Sequence, residues 1–368
     1  MDTKGHFGGR PGLGSRLMKK LKIGYWPLSS SLSSAGDRRR LVFWANARGH
    51  SIVTNLKQDV DVIVASENSN FNSKIFSDRN VPLIFDLVDA YLSPLNAVDD
   101  LARGFAKRAS GQLTGRIKPY SDHVKHFCLS ADAVICSSIE QQQVIHDHNL
   151  NTHVILDSHE EIPFISNAKQ ITTKGKTGGI LWEGQPATIS GVNLISDVLR
   201  ELLKNRDFDL NFITDQEYFR FLNRYSKRET RDLFDKNLRA IFDQVKIVSW
   251  NPAALVDYAR VSTLSIIPID LSIPMQKLKP ENRLLIMWRL GLPCVTSPSP
   301  AYMRVSKEAG TNLVSNTLEE WMFNIRRLLD DPTFARDEVL AGQNYVREKH
   351  NSTILLSKWD TVFESVLG

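Results

Sequence analysis

Short apolar runs alternate with longer, helix-length amphipathic stretches along most of the chain. The strand-like runs cover residues 22–26, 52–53, 60–65, 82–88, 134–136 and 154–156 in the first half, and 180–181, 210–213, 247–248, 264–269 and 294–295 in the second. Short, continuously apolar strands joined by helices are typical of parallel sheets that are covered on both faces. The pattern therefore predicts an α/β protein with two Rossmann-like domains.

A polar stretch rich in Lys, Thr and Gly, residues 166–179, separates the two sets of strands. Such a composition is typical of an interdomain linker. Residues 1–19 are rich in Gly, Lys and Arg and have no period, which indicates a mobile basic tail. We therefore predict a first domain at 20–165, a second domain at 180–345 and a closing helical segment at 346–368.

The composition agrees with this organisation. The chain has 368 residues, 42% of them hydrophobic and 24% charged, which is ordinary for a globular protein and argues against disorder. Its three cysteines, Cys128, Cys136 and Cys294, form neither a disulfide set nor a metal-ligand cluster. No apolar run approaches the roughly 20 residues of a membrane span, and no signal-peptide core precedes the first strand. We therefore expect a cytoplasmic protein.

The segment from Lys279 to Pro293 carries the strongest chemistry. Pro280 suits the first position of a helix, and Gly291 suits its end. On such a helix Lys279, Asn282 and Arg283 share one face with Ile286, opposite Glu281, Leu284, Leu285 and Trp288. Two cations and an amide would converge where free N–H groups attract anions, which suits a phosphate or diphosphate. The alternative is a set of solvated charges on an amphipathic helix.

The surrounding order of elements resembles the GT-B glycosyltransferases, particularly family 4. In the second half the resemblance lies in the segments 179–184, 245–250, 252–260 and 263–268 that come before this helix. In the first half it lies in the opening strand 22–26, the Ser-rich loop to Gly36, the helix ending at Gly49-His50, and the segments 131–138 and 153–157. The resemblance implies two Rossmann-like domains facing each other across a cleft, with a last helix that crosses back to the first domain.

The resemblance also implies an activity and a set of residues. A sugar would move from a nucleotide diphosphate sugar to a hydroxyl of a glycan, lipid carrier or protein, with no metal or other cofactor. The donor-binding candidates are Gly36, Arg38, Glu183, Gly184, Trp250, Lys279, Asn282 and Arg283. Arg38 also begins the run Arg38-Arg39-Arg40, which is typical of a solvated helix face.

Two aspartates are the catalytic candidates. Asp86 and Asp89 follow the apolar run 82–85, and ligands of open α/β folds bind at the carboxyl ends of strands. A carboxylate there would take the acceptor hydroxyl's proton or stabilise positive charge developing on the sugar ring. The alternative is that both aspartates cap the next helix.

Two positions depart from the family pattern. Gly184 is followed by Gln-Pro where family members have basic residues, and Leu278 and Ile286 stand where a pair of glutamates is usual. Lys279 and Arg283 would then supply the charge for the diphosphate, and Glu281 or Asn282 would contact the ribose. The donor and the stereochemical outcome stay open, as do two other functions: a nucleotide-sugar epimerase or hydrolase of this fold, and a non-catalytic nucleotide-sugar-binding or scaffolding protein.

The chain is basic, with a net charge of +5. Residues 101–108, together with Arg116, Lys118 and Lys125, mix cations with apolar side chains. This composition indicates either a peripheral contact with an anionic membrane or an ordinary amphipathic surface helix. No nucleic-acid-binding motif is present.

Several short motifs are set aside because of their context. The glycines of residues 8–14 precede the first strand, where a phosphate loop would follow it. The Asp-x-Asp pairs at 59–61 and 207–209 come before apolar runs, and His146 and His148 have no partners at ligand spacing. We therefore expect no metal site.

Overall fold

The computed structural model describes residues 19–94, 96–165, 178–205, 208–220, 226–240 and 244–368. The first part contains strands β1 (Lys22–Trp26), β2 (Ser51–Val53), β3 (Val62–Ser66), β4 (Leu83–Asp86), β5 (Ala133–Cys136) and β6 (Thr152–Val154). They form one parallel sheet in the order β2-β1-β3-β4-β5-β6. Its helices are α1 (Ala35–Arg38), α2 (Leu41–Arg48), α3 (Lys74–Ser77), α4 (Ala97–Ala109), α5 (Tyr120–Ser130) and α6 (Ile139–His146).

The second part contains strands β7 (Gly179–Glu183), β8 (Leu210–Ile213), β9 (Glu217–Arg220), β10 (Ser226–Glu229), β11 (Val245–Val248), β12 (Ser262–Ile267) and β13 (Cys294–Thr296). Five of them form a parallel sheet in the order β11-β8-β7-β12-β13, and β9 pairs with β10 as an antiparallel hairpin. The helices are α7 (Ile189–Leu194), α8 (Ser196–Asn205), α9 (Lys236–Arg239), α10 (Pro252–Val261), α11 (Pro274–Lys277), α12 (Asn282–Arg289), α13 (Pro300–Ala309), α14 (Leu318–Asp330) and α15 (Pro332–Lys349), followed by α16 (Ser352–Leu367).

This architecture confirms the predicted fold class of two parallel-sheet domains. Each sheet has a buried apolar cluster on either face, so its strands are apolar throughout rather than alternating with polar residues. The helix ends also agree with the sequence, because Gly49 ends α2 with φ 71° and Gly291 follows α12 with φ 73°. Residues 1–18 of the predicted tail and 166–177 of the predicted linker lie outside the described residues.

The last helix, α16, packs against α2 and the first sheet. The ring of Phe363 stacks on that of Trp44 in α2, with 4.0 Å between centroids. Asp360 accepts a 2.7 Å hydrogen bond from Trp44 Nε1 and a 3.0 Å bond from Arg48 Nε. The chain thus crosses from the first part to the second and then returns.

The two crossings touch each other through a pair of buried histidines. His159 lies on the outgoing segment and His350 on the returning one, and their ring centroids are 4.6 Å apart. His350 Nε2 lies 2.9 Å from the carbonyl oxygen of Asp157. Burial lowers the pKa of His350 to about 4 and also lowers the pKa of His159. Both rings are therefore neutral at neutral pH, and protonating either would place a charge in an enclosed contact.

This pair predicts an acid-sensitive stability. The unfolded chain takes up a proton on His350 near pH 6.5, whereas the folded chain does so only near pH 4. The stabilisation is therefore complete above about pH 6.5 and is lost as the pH falls towards 4, by up to roughly 3 kcal/mol. Urea unfolding measured from pH 7.5 to 4.5 should show a shallower decline for His350→Gln. The exposed His146 provides the control, since His146→Gln should keep the wild-type slope; equal slopes in all three proteins would contradict the assignment.

Candidate active site

The carboxyl ends of the two sheets face each other. Each sheet has a point where strand order reverses, between β1 and β3 in the first and between β7 and β12 in the second. Ligands of open α/β folds bind in the crevice at this point. Contacts between the parts join these ends, since Ser138 Oγ, after β5, donates a 2.8 Å hydrogen bond to the carbonyl of Leu278, after β12. The two crevices therefore open onto one cleft.

Three predicted donor residues meet at the end of β7. The guanidinium of Arg283, from the first turn of α12, donates to the backbone carbonyl of Glu183 and lies over the Trp182 ring, 5.7 Å from its centroid. A Cβ at Gly184 would come within 2.7 Å of Thr188 Oγ1, 2.8 Å of the Trp182 ring and 3.1 Å of Arg283 Nη2, so the glycine allows close packing beside this cation. Arg283 Nε and Glu183 Oε2 are 3.4 Å apart, and both are buried without a hydrogen-bond partner in the described chain. Such unmet donors and acceptors favour a ligand at this point.

The start of α12 differs from the prediction in two respects. The helix begins at Asn282 rather than at Pro280, because α11 and its C-cap Leu278 hold the preceding residues in a separate turn. Ile286 is buried with the rest of the helix, since α12 packs between the sheet and α15. The solvent-facing cationic surface is therefore confined to the first turn. There Asn282 Oδ1 is buried and has no hydrogen-bond partner among the described residues.

Lys279 and Asp89 face each other across the cleft. Lys279 Nζ, from the second part, is 3.9 Å from Asp89 Oδ1, from the first, and both side chains are about one-third exposed. A partly exposed pair at this distance contributes only about 0–1 kcal/mol. Two residues predicted for opposite sides of the reaction are thus joined by a contact that a charged ligand can replace.

Asp86 does not face the cleft. Its carboxylate is 2% exposed and accepts hydrogen bonds of 3.1 and 2.6 Å from Nε and Nη2 of the fully buried Arg40. Arg40 Nη1 also donates to the carbonyl of Ile155 and to Asp157. Burial raises the pKa of Asp86 while Arg40 lowers it. Asp86 is therefore neither a catalytic base in the cleft nor a helix cap, as the sequence had suggested. It forms a buried ion pair with Arg40 that connects the ends of β4 and β6 to α2.

Gly36, Arg38 and Trp250 lie at another contact between the parts. Arg38 binds Glu161 through hydrogen bonds of 2.8 and 3.0 Å, and its guanidinium carbon is 6.0 Å from the Trp250 ring centroid. A Cβ at Gly36 would come 2.3 Å from a methyl of Leu28, so the glycine is explained by packing within the β1–α1 loop. Arg38 is therefore engaged by protein groups rather than free for a diphosphate.

Glu67 is the acidic residue that the sequence reading missed. It directly follows β3, at the strand-order reversal of the first sheet, and its Oε2 accepts a 3.0 Å hydrogen bond from the backbone N–H of Asp89. Burial and, after it, the Asp89 carboxylate together raise the pKa of Glu67 to about 8. The rule that selected Asp86, an acidic residue at the end of an apolar strand, applies equally to Glu67.

A wall of tyrosines and cations lies beside these carboxylates. Tyr120 donates its hydroxyl to the Glu67 carbonyl at 3.0 Å and packs edge-on against Tyr91. Arg103 lies over Tyr91 and Lys107 over Tyr120, at 5.1 and 5.4 Å from the ring centroids. Burial lowers the pKa of the Lys107 ammonium. Tyr120 is fully buried, so this wall supports the segment that carries Glu67.

Asp37, also missed, shapes the β1–α1 loop. Its buried carboxylate accepts hydrogen bonds from the Tyr25 hydroxyl and from the backbone N–H groups of Leu28 and Ser29, at 2.7, 2.8 and 2.9 Å. The loop thereby holds Leu32 at φ 59°, an uncommon conformation for a non-glycine residue.

In the described part of the chain, no three His, Cys, Asp or Glu side chains come together as a metal-binding group.

Solved structures of similar architecture include a glycosyltransferase. One is WaaG, a glycosyltransferase involved in lipopolysaccharide biosynthesis, with 13% identity, a TM-score of 0.57, and coverage of 94% of this chain and 99% of that one. Another is sucrose-phosphate synthase from Thermosynechococcus elongatus, with 12% identity, 83% and 73% coverage and a TM-score of 0.57. A third is a TarM mutant of S. aureus in complex with fondaparinux, α-GlcNAc-glycerol and UDP, with 11% identity, 82% and 55% coverage and a TM-score of 0.52.

These similarities define the class of fold, which is GT-B. At 11–13% sequence identity, these similarities establish the fold of the protein but not its substrates. No protein-family model matches the sequence, and no curated protein matches it either. Within the described residues, no helix combines the length and apolar character that crossing a membrane requires.

The contrast between the two aspartates is directly testable. Asp86→Asn leaves Arg40 buried without its counter-charge and should lower the free energy of unfolding by about 3–5 kcal/mol. Asp89→Asn changes only a partly exposed ion pair, so its free energy of unfolding should stay within about 0.5 kcal/mol of the wild-type value. Urea unfolding at neutral pH measures both. Equal stabilities of the two variants would mean that the buried pair is not the constraint described above.

Proposed function

We propose that the protein is a nucleotide-sugar-dependent glycosyltransferase of the family 4 type. It would move a sugar from a nucleotide diphosphate to a hydroxyl of a glycan, lipid carrier or protein. The observation that carries the proposal is the cleft between the two strand-order reversals, with cations on the second side and carboxylates on the first. In this proposal residues 180–345 hold the donor, residues 20–165 hold the acceptor, and 166–179 link them.

The donor diphosphate binds at the first turn of α12. Arg283 Nη2 lies beside Gly184, and the unbonded Asn282 amide oxygen and the N–H groups at the helix start belong to the same turn as Arg283. A diphosphate accepts hydrogen bonds from the cations and the N–H groups, whereas the amide oxygen of Asn282 suits a ribose hydroxyl. The Glu183 carboxylate partly offsets Arg283, so the second cation, Lys279, is needed to balance the two phosphates.

Lys279 couples the two substrates. Without donor it faces Asp89 at 3.9 Å. When it turns to the diphosphate, Asp89 loses its counter-charge and is free to accept the acceptor hydroxyl's proton. Glu67 holds the backbone of Asp89 in place through its 3.0 Å hydrogen bond and is largely protonated at neutral pH, which limits repulsion between the two carboxyl groups. Trp250 and Arg38 contact each other at the side of the cleft, and Gly36 lies in the same short helix as Arg38.

Donor binding provides the main test. Each charge-assisted contact contributes about 1.5–3 kcal/mol, so Arg283→Ala and Lys279→Ala should each weaken nucleotide diphosphate sugar affinity by roughly 10- to 150-fold in calorimetric titration. A panel of donors first identifies the best one. The control is Arg260→Ala, an exposed arginine on α10 that should bind like the wild type. Unchanged affinity in both variants, in folded protein, would make α12 an ordinary helix.

Turnover tests the acceptor side. With the best donor, Asp89→Asn should lower kcat by about 10²- to 10⁴-fold while donor affinity holds or improves, since Lys279 is then unpaired. Asp59→Asn changes an exposed carboxylate of the same domain and should keep full turnover. Donor binding without transfer to any acceptor by the wild type would instead support a non-catalytic binding protein, and an epimerised or hydrolysed donor would support the other enzyme class.

We also propose a peripheral contact with an anionic membrane through α4. Val98, Leu101 and Phe105 recur at helical spacing and are 76%, 46% and 57% exposed, next to the exposed Arg108 and the basic residues that follow. Apolar side chains beside cations are typical of helices that lie on anionic bilayers.

Flotation with vesicles rich in phosphatidylglycerol checks this contact. The double variant Leu101→Asp/Phe105→Asp should lose most of the bound fraction, because it places carboxylates at the lipid surface. The matched control is Leu340→Asp/Phe323→Asp, in which Leu340 is also 46% exposed but lies on the other domain. Equal loss in both doubles would point to a general charge effect.

A further inference from the structure

A second concave site lies on the first domain, outside the groups assigned to the donor and the transferred sugar. It is a cavity of about 570 Å³ between α3 and α5, closed on one side by the segment 114–118. Its lining includes Phe71, whose ring stacks on Phe127 at 4.5 Å and lies 6.1 Å from the Tyr120 ring. Tyr120 in turn contacts Glu67, so the cavity lies one aromatic layer behind the acceptor side of the cleft.

The lining of this cavity is basic. Its charged or ionisable members are Arg79, Arg116, Lys118, His123 and His126, and none of its residues is Asp or Glu. Arg79 is engaged by the carbonyls of Phe76 and Ser130 and by Asp132. Arg116 and Lys118 are exposed and have no ion-pair partner within the described ranges. Both therefore add positive charge to the lining of the cavity.

His123 reports on this excess of charge. It is buried at the cavity wall, and its pKa is lowered by burial and then by the nearby Lys118 ammonium, with Asp122 acting in the opposite direction and His126 in the same one. Like charges held close together around a cavity lower the stability of the folded protein unless a bound anion offsets them. Hydroxyls and amides at the rim, from Asn72, Ser73 and Thr114, can donate further hydrogen bonds to it.

The size and floor of the cavity restrict the anion. A bare phosphate fills only a small part of about 570 Å³, and the floor is formed by the rings of Phe71, Phe76 and Phe127. A ligand that fits both has a phosphate for the basic rim and a larger body for the aromatic floor. We propose that this cavity binds an organic phosphate ester, at a site separate from the one for the donor diphosphate. The ester is a phosphorylated sugar or a phospholipid headgroup, which share this chemistry.

Calorimetric titration at low ionic strength tests the site with defined probes: glucose 6-phosphate, dihexanoylphosphatidic acid below its micelle concentration, and glucose. Both phosphate esters should bind and glucose should not. Arg116→Glu/Lys118→Glu reverses two exposed charges and should weaken ester binding about tenfold or more. Lys57→Glu/Lys307→Glu makes the same net change at exposed positions elsewhere and should bind like the wild type. The ester that binds more tightly identifies the source of the phosphate.

Two further readouts separate this site from the cleft. The imidazole signals of His123 should shift to a higher pKa when glucose 6-phosphate binds, because the anion offsets Lys118. UDP should not displace the ester, and Arg283→Ala should not weaken its binding, so a failed glycosyltransferase assay leaves this test intact. No ester binding up to about 10 mM, an equal loss in the Lys57/Lys307 double, or displacement by UDP would each overturn the proposal.

Discussion

The ion pair between Arg40 and Asp86 is the constraint on which the cleft depends. A fully buried guanidinium is costly unless its donors are met, and here they are met by the end of β4, by the carbonyl of Ile155 after β6 and by Asp157. One side chain therefore joins three segments at the carboxyl edge of the first sheet. Because Asp89 follows three residues after Asp86, this anchor also sets where the cleft carboxylate stands.

The same anchor reaches the passage between the domains. Asp157 belongs to the outgoing segment, where Ser158 donates its backbone N–H to the Arg39 carbonyl at 2.8 Å. The returning segment meets it at the His159–His350 contact, and α16 then packs against α2. The hinge side of the cleft is thus built of buried, fully packed groups. The contacts at the open side of the cleft are less buried. They are the ion pairs Lys279–Asp89 and Arg304–Glu140, whose nitrogen and oxygen atoms are 3.9 and 3.6 Å apart.

That difference has a functional meaning. Partly exposed ion pairs contribute little to stability and exchange readily with a charged ligand, whereas buried pairs resist change. The two segments that connect the domains are held by buried contacts, whereas the domains meet at the open side of the cleft through partly exposed ion pairs. This arrangement suits closure around a substrate. In the proposed function, Lys279 couples donor binding to closure, because it pairs with Asp89 of the first domain at 3.9 Å until a diphosphate replaces that carboxylate.

The sequence by itself determined the class of fold, because short apolar strands between helices can be buried only in parallel sheets with both faces covered. It also identified the glycines that end α2 and follow α12. It did not distinguish among Asp86, Asp89 and Glu67, which all stand at or just beyond the end of a strand. Only the tertiary structure decided their contacts, because Asp86 pairs with Arg40 from a distant helix while Glu67 accepts a hydrogen bond from the backbone of Asp89. The pairs Arg283–Glu183 and Lys279–Asp89 were equally beyond the sequence, since partners 100 or more residues apart are chosen by how the domains pack and not by local spacing.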